Sequence, residues 1–265
     1  MGAACAGTAG AGDAVVAAVP AAITLGVTVP LVLLVHRLDR TALALRRPGR
    51  AATGVAVTAA AAALVFGPAL LAGGMRVTAV DLSALVTFLV TNTVLALALE
   101  ALPEELALRG SVYGSLAEVS RGWVAGAVTT GAFVVAPGAS ISLAALVGRA
   151  LGLPVPPPSF APDGQDPVAY AVVLAVFGTV LVLARAATGS VWTGVGVHLT
   201  FLTVNRALLG GGRLDTGLSL DASPGSELLV LVYLLLAAAV FAVLTRSRTR
   251  TRRRAGTAAA LPARG

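Results

Sequence analysis

Runs of about twenty apolar residues recur along the chain, and they constrain its fold more than any other feature. A helix of that length spans the bilayer core, and only helices or closed barrels satisfy their backbone hydrogen bonds there. Charged residues make up only 12% of the chain, about half the share found in soluble domains. We therefore predict an all-α, polytopic transmembrane helical bundle of about seven spans. The predicted spans are 14–35, 51–72, 82–102, 123–147, 168–184, 190–209 and 227–245.

Two features leave the span count open between six and eight. Pro137-Gly138 interrupts the fourth run, which could then be a short span followed by a separate segment over 141–153. The stretch from Glu104 to Leu116 could itself dip into the membrane. Neither alternative changes the fold class.

The arginines indicate the topology independently, because cytoplasmic loops carry an excess of basic residues. With seven spans, most arginines fall on one side, opposite the Asp13 end and the Asp163/Asp166 loop. We predict an external N-terminus and a cytoplasmic C-terminus, in the cell membrane. The arginines on the cytoplasmic side are Arg37, Arg40, Arg46, Arg47, Arg50, Arg109, Arg121, Arg185 and those of 246–254; Arg206 and Arg213 fall on the other side.

Two stretches divide the chain. Residues 154–167 are rich in proline, which lacks the amide donor that a helix needs, and are predicted to form an external linker. Gly210 opens a glycine-rich stretch to Gly225 that we predict to be flexible. The expected organisation has four parts: two spans and a basic cytoplasmic loop in 1–81, a core in 82–209, an external loop and the last span in 210–245, and a basic cytoplasmic tail in 246–265.

The two ends of the chain suggest membrane anchoring. Residues 1–13 hold no Arg or Lys, so the first span lacks the basic region of a cleaved signal peptide and is expected to be retained. The single cysteine, Cys5, excludes an intramolecular disulfide. The run 246–254 follows a span directly, and each arginine near an anionic leaflet contributes about 1 kcal/mol of attraction. We interpret it as binding membrane lipids and predict no nucleic-acid partner.

Three charges stand close together in an apolar stretch: Glu104, Glu105 and Arg109. Each charge at membrane depth costs about 2.5–3.5 kcal/mol on insertion scales, so such groups usually mark a functional site. Pro103 predicts a kink or a helix start here. Glu105 and Arg109 are four apart and can pair, whereas Glu104 points about 100° away. A carboxylate held away from bulk water can act as a general base, which makes Glu104 the candidate. The alternative is a solvated loop.

A second candidate is His198, in the predicted sixth span. A lone histidine in an apolar helix often only hydrogen-bonds a neighbouring helix. Asn205 follows seven residues later on almost the same face, about 10 Å along the axis. The two side chains could line one cavity. The other histidine, His36, is at a predicted helix end beside Arg37.

The two motifs together resemble those of the CAAX protease and bacteriocin-processing family of intramembrane proteases. They are Glu104-Glu105-x-x-x-Arg109 and the Gly-Ser-x-Trp-x-x-x-Gly-x-His pattern that ends at His198. The resemblance covers roughly 82–209, and Leu43–Pro48 resembles the basic segment that often precedes the core. It implies a helical bundle with an intramembrane cavity. It also implies that Glu104 activates water, that Glu105 and Arg109 form a supporting ion pair, and that His198 stabilises the oxyanion or binds metal.

The sequence departs from this family pattern in two places. The second motif, Phe-x-x-x-His, corresponds to Phe133–Pro137, with proline in place of histidine. Leu202 stands four residues after His198 where the family usually has asparagine, so Asn205 would have to substitute for it. The candidate metal ligands are Glu104 and His198, and a catalytic zinc site usually has three protein ligands. Zinc is therefore doubtful unless both carboxylates coordinate.

Three functions follow from these observations. The first is an intramembrane endopeptidase that cuts a prenylated or otherwise membrane-delivered peptide. The second, suggested by Pro137, is a catalytically silent scaffold that binds membrane peptides or partner proteins. The third is a small transporter, since proton-coupled carriers also use intramembrane glutamates. The sequence lacks the paired halves typical of such carriers.

Overall fold

Long helices dominate the computed structural model, which describes residues 26, 28–34, 36–37, 43–152, 160–161, 165–210 and 215–259. A small antiparallel sheet pairs β1 (Met75–Val80) with β2 (Leu218–Ala222). The architecture is the all-α membrane bundle that the sequence predicts. The long helices after residue 50 are α1 (Ala51–Leu71), α2 (Leu82–Val119), α3 (Gly122–Ala150), α4 (Pro167–Thr188), α5 (Val191–Leu209) and α6 (Leu228–Ala259).

Five of these helices, all except α5, are long and apolar enough to cross a membrane. They correspond to the predicted spans 51–72, 82–102, 123–147, 168–184 and 227–245. The predicted span 190–209 forms helix α5, which carries more polar residues and has its N-terminal half buried in the bundle. The predicted span 14–35 lies mostly outside the described residues, although 28–34 are helical.

One alternative that the sequence left open and one local prediction were wrong. Helix α3 runs unbroken through Pro137, because one missing amide donor interrupts only one backbone hydrogen bond and membrane helices tolerate that. The stretch after Gly210 is not flexible throughout, since Leu218–Ala222 forms β2 and pairs with β1 from Met75↔Ala222 to Val80↔Leu218. Residues 211–214 and most of the predicted 154–167 linker lie outside the described residues.

Local sequence explains where several helices begin and end. The side chains of Asp81 and Asp166 accept hydrogen bonds from the amides of Ala84 and Ala169, which caps the starts of α2 and α4. Helix α4 ends at Thr188, and Gly189 directly after it adopts the left-handed conformation with φ 69°. The short turn from α4 to α5 sets the two helices side by side.

Helix α5 packs against α1 through glycines. A Cβ atom on Gly54 would overlap the carbonyl oxygen of Thr193, and one on Gly196 would overlap the carbonyl oxygen of Ala51. Small residues let membrane helices approach closely in this way. The resulting contact holds α5, and with it His198, in the interior of the bundle.

The arginine-rich segments meet at one end of the bundle. The Ser190 hydroxyl donates to the carbonyl of Arg46 at 3.2 Å, and the Trp192 indole donates to the carbonyl of Leu45 at 2.8 Å. Arg248 donates to the last-turn carbonyls of α4. The 43–50 segment, the start of α5 and the start of the basic tail therefore share one end of the molecule.

Candidate functional site

Helix α2 changes its winding around the acidic motif. Leu97–Ala101 and Glu105–Val112 are π-helical, on either side of the short α-helical piece Leu102–Glu104. Such segments are rare and occur frequently at functional sites. One predicted alternative, a new helix that starts at Pro103, is wrong, because the helix continues through the proline. The wide turns carry the helix past the proline and set the directions of the two glutamate side chains.

Glu105 and Arg109 form the ion pair that their spacing predicts. Nη1 of Arg109 lies 3.2 Å from Oε1 of Glu105, and both side chains are completely buried. The guanidinium lies 4.5 Å above the ring of Phe133 and donates a long hydrogen bond to the carbonyl of Gly178. Arg109 thus compensates a charge that would otherwise be very costly inside the bundle.

His198 completes this buried cluster. Its Nδ1 lies 3.4 Å from Oε1 of Glu105, and the rings of Phe177 and Phe133 pack edge-on against the imidazole at 5.0 and 6.1 Å. Because Nδ1 faces the carboxylate, Nε2 is the nitrogen that remains for another partner. Both oxygens of Glu105 and Nδ1 of His198 lack a contact with good hydrogen-bond geometry. Buried groups left in that state need an explanation, and catalysis is one.

Glu104 occupies a different environment from Glu105. Its side chain is partly exposed and interacts electrostatically with His198, Arg109 and Glu100. Within the described part of the chain it forms no ion pair or hydrogen bond. The two adjacent carboxylates therefore differ as the helix geometry predicts, with one neutralised and one unpaired.

The segment that carries this arrangement also matches a known family. Residues 85–204 match the model described as type II CAAX prenyl endopeptidase Rce1-like. The chain carries an Rce1-like domain. This result confirms the resemblance to the CAAX protease and bacteriocin-processing family. The domain match runs through α2 and into α5, and so includes Glu104, Glu105, Arg109 and His198. No curated protein and no solved structure matches the chain significantly.

Asn205, the fifth predicted site residue, lies just beyond the matched segment. Its amide nitrogen donates to the carbonyl of Phe201 and to the hydroxyl of Tyr233, both at 2.8 Å. The side chain thus binds α6. The structure shows no contact that brings it to the Glu105–His198 cluster within the described residues.

A second polar cluster lies near the Glu105–His198 cluster, and the sequence reasoning missed it. Nη2 of Arg206 lies 2.7 Å from both carboxylate oxygens of Glu100, and Nη1 donates to Asn92 at 2.9 Å. Asn92 in turn donates to Thr203. Arg206 therefore has an ion-pair partner on a neighbouring helix, in a partly exposed pair, which accounts for an arginine that does not follow the topology rule. The sequence signal that could have found this cluster is a pair of opposite charges, Glu100 and Arg206, that stand in apolar helices without a predicted partner.

Pro137 lies one helical turn beyond Phe133, whose ring contacts Arg109. The proline has no group that can donate or accept a proton, so it cannot supply the chemistry of the second-motif histidine. The contacts of Phe133 and Phe177 with His198 were also not anticipated. Both aromatic residues enclose the cluster and restrict its access to water.

The residues present do not fit a zinc site. Within the described residues, no three His, Cys, Asp or Glu side chains come together in a way that could hold a metal ion. Of the carboxylates near His198, Glu105 is already neutralised by Arg109, whose fixed positive charge would oppose a divalent cation. The pair Glu104 and His198 supplies one ligand fewer than the usual three.

Proposed function

We propose that the Rce1-like domain is an intramembrane endopeptidase in which Glu104 activates a water molecule. The observation that carries the proposal is the division between the glutamates. Glu105 is buried between Arg109 and His198, whereas Glu104 is partly exposed and has no hydrogen-bond or ion-pair partner within the described residues. A partly exposed carboxylate beside a fixed imidazole suits general-base hydrolysis.

The proposed reaction needs only groups of this chain, a water molecule and the peptide. Glu104 takes a proton from the water as its oxygen bonds to the carbonyl carbon. Nε2 of His198, in its protonated form, donates a hydrogen bond to the oxyanion that develops. The carbon–nitrogen bond then breaks, and the proton held by Glu104 passes to the leaving amine.

Glu105 and Arg109 support this reaction from behind His198. A carboxylate facing Nδ1 helps to fix the ring orientation and leaves Nε2 as the nitrogen that can act on a substrate. Arg109 balances the second negative charge that Glu105 brings into the bundle. Neither residue needs to touch the substrate.

The substrate class follows from where the site lies. Charged groups enclosed by apolar helices are reached most easily by a peptide delivered within the membrane, such as a prenylated one. The arginine-rich 43–50 segment and Arg248 lie at the end of the bundle where α5 begins, seven residues from His198. With the positive-inside rule, we propose a cytoplasmic C-terminus, an external N-terminus and access from the cytoplasmic leaflet of the cell membrane.

The test is cleavage of a farnesylated fluorogenic peptide by the full chain reconstituted in liposomes. We expect turnover by the wild type and losses of about 10²-fold or more in Glu104→Gln and His198→Ala. Glu227→Gln, which changes an exposed glutamate in the loop before α6, is the matched control and should leave kcat unchanged. Equal turnover in wild type and Glu104→Gln would overturn the proposal.

Pro137 favours a second candidate, a catalytically silent member that binds membrane peptides. In that case, the wild type shows no turnover, while the farnesylated peptide still binds the wild type, Glu104→Gln and His198→Ala equally. Binding can be followed by the anisotropy of a labelled peptide in the same liposomes. Loss of peptide binding in all three proteins would contradict the scaffold.

A further inference from the structure

The contact between His198 and Glu105 does not by itself hold the imidazole in one orientation. Within the described residues, neither Nδ1 of His198 nor either carboxylate oxygen of Glu105 forms a hydrogen bond with good geometry, although the two groups are close. Hydrogen bonds weaken steeply away from their ideal direction, and the last torsion of a histidine side chain has only broad preferences of its own. The orientation of the ring therefore depends on the groups packed around it.

Phe177 of α4 is the closer of the two phenylalanines that contact the imidazole. Its ring centroid lies 5.0 Å from that of His198, and the two ring planes meet at 83°. The corresponding distance for Phe133 is 6.1 Å. Rings at such distances and angles form favourable edge-to-face pairs, and rotation of the imidazole about its last torsion would lose that geometry. Phe177 thus favours one orientation of His198.

Phe177 is itself held in place by its neighbours. The ring of Phe201, in α5, stacks on it with centroids 3.8 Å apart and an angle of 15° between the planes. Phe133, in α3, packs edge-on against it at 5.6 Å. Only 1% of Phe177 is exposed, and close-packed interiors leave little room for a ring to move. Phe177 therefore presents a fixed surface to His198.

The residue after Phe177 contacts the other partner of Glu105. The carbonyl of Gly178 accepts a hydrogen bond from Arg109, and a Cβ atom on Gly178 would lie 3.2 Å from the ring of Phe133. The missing side chain lets α4 approach α2 and α3 closely. Consecutive residues of α4 thus contact the two groups that face Glu105, with Gly178 at the guanidinium and Phe177 at the imidazole.

We propose that Phe177 is a positioning residue for His198, which holds the imidazole with Nδ1 toward Glu105 and leaves Nε2 aimed at the substrate. The proposal deepens the proposed function and rests on it, since His198 stabilises an oxyanion only there. A flat, immobile ring restricts the imidazole, whereas a flexible apolar side chain such as methionine fills similar space without restricting it. Phe177 does not need to touch the substrate.

The first readout is the mobility of the imidazole, which does not depend on turnover. The chain has two histidines, so isotope-labelled histidine gives solid-state NMR signals from His198 and His36 alone, and His36→Gln tells them apart. The order parameter S² of the Cδ2–Hδ2 bond of His198 is measured for the full chain in liposomes. We expect a rigid value of about 0.85 in the wild type and a value below about 0.6 in Phe177→Met.

Two further variants test whether the effect is specific. Phe66→Met is the matched control, because Phe66 is also buried, at 3% exposure, but packs against Tyr233 at 5.7 Å. It should leave S² of His198 and kcat unchanged. Phe201→Leu removes the ring that stacks on Phe177, at a partly buried position, and should lower S² of His198 by a smaller amount.

The second readout is cleavage of the farnesylated peptide. Phe177→Met should lower kcat by about tenfold with KM unchanged, because a misplaced donor weakens transition-state stabilisation while the peptide contacts stay intact. In the His198→Ala background, adding Phe177→Met should change the residual kcat by less than about twofold, because no imidazole is left to hold. A purely structural role would lower kcat by the same factor in both backgrounds.

The outcomes separate this proposal from the proposed function. A lower S² with a tenfold loss of kcat that requires His198 supports both. A lower S² in a protein whose wild type has no turnover supports the Phe177–His198 contact and overturns the hydrolase. Unchanged S² in both Phe177→Met and Phe201→Leu overturns the positioning role, whatever the turnover. So does an equal fall of S² in Phe66→Met, an unchanged kcat in Phe177→Met, or an equal loss of kcat in the His198→Ala background.

Discussion

Nδ1 of His198 lies 3.4 Å from Oε1 of Glu105, so the histidine of α5 faces the second glutamate of the acidic motif and not the first. The contact joins α5 to α2 in the interior of the bundle. In the proposed mechanism, Glu105 accordingly supports the imidazole, and Glu104, on the adjacent face, acts on the substrate. Two carboxylates that are neighbours in sequence thus have different surroundings.

Gly194 packs directly on the carboxylate of Glu105, and a Cβ atom there would overlap Oε2. We expect Gly194→Ala to displace Glu105 from His198 and to lower the free energy of unfolding by about 1–3 kcal/mol, the usual cost of overpacking. SDS titration in mixed micelles measures this change. Gly131→Ala is the control, since a Cβ atom at Gly131 meets nothing within 4 Å. Equal effects of the two substitutions would show that the Gly194–Glu105 contact is not tight.

Arg109 compensates Glu105 in a fully buried pair. Removing one partner of such a pair typically costs about 3–5 kcal/mol, so Arg109→Met should lower the free energy of unfolding by that amount. Adding Glu105→Gln should recover part of the loss, because the uncompensated charge is then gone. Arg76→Met, on the exposed strand β1, is the control and should have little effect. A double variant less stable than Arg109→Met alone would contradict the pairing.

Asn205 binds Tyr233 of α6 through its amide nitrogen. We expect Asn205→Ala to lower the free energy of unfolding by about 1–2 kcal/mol, because it leaves a partner without its hydrogen bond. The value of kcat at saturating peptide should change less than about twofold. A fall in kcat of about 10²-fold with unchanged stability would instead place Asn205 at the reacting atoms.

Pro137 holds the position of the second-motif histidine, one turn from Phe133. We expect Pro137→His to raise kcat by about 10-fold to 100-fold, the lower part of what a positioned proton-transfer group contributes. Pro137→Ala separates this effect from the recovered backbone hydrogen bond, and it should change only stability. Identical kcat values for the two variants would show that this position does not reach the reaction.

The features that could be predicted from the sequence are local. The period of the helix predicts the Glu105–Arg109 pair and the different direction of Glu104, and hydropathy predicts the apolar helices. The motif pattern in 82–209 is enough to indicate the family. Each motif and each spacing lies within a short stretch of sequence, and the hydropathy signal recurs along the chain, so no knowledge of helix neighbours is needed to see them.

The features that could not be predicted depend on packing between distant segments. Which of the two glutamates contacts His198 depends on how α5 packs against α2. The glycines of α1 and α5 set that packing, because they let the two helices approach closely. The Glu100–Arg206 ion pair and the bond from Asn205 to Tyr233 likewise require the helix neighbours to be known. The β1–β2 pairing joins two short stretches that alternate apolar and polar residues but lie far apart in the chain, so their pairing could not be predicted from either one.

The central claim is that the two adjacent glutamates have different functions. The most direct test measures two quantities, kcat and the free energy of unfolding, for both Glu104→Gln and Glu105→Gln. The two variants are compared in one preparation of liposomes with the farnesylated peptide as substrate. We predict that Glu104→Gln loses about 10²-fold or more of kcat with near wild-type stability. Glu105→Gln should instead change the stability of the folded protein, because it removes a charge that Arg109 and His198 share. Full turnover in Glu104→Gln, with turnover lost only in Glu105→Gln, would contradict this division of roles.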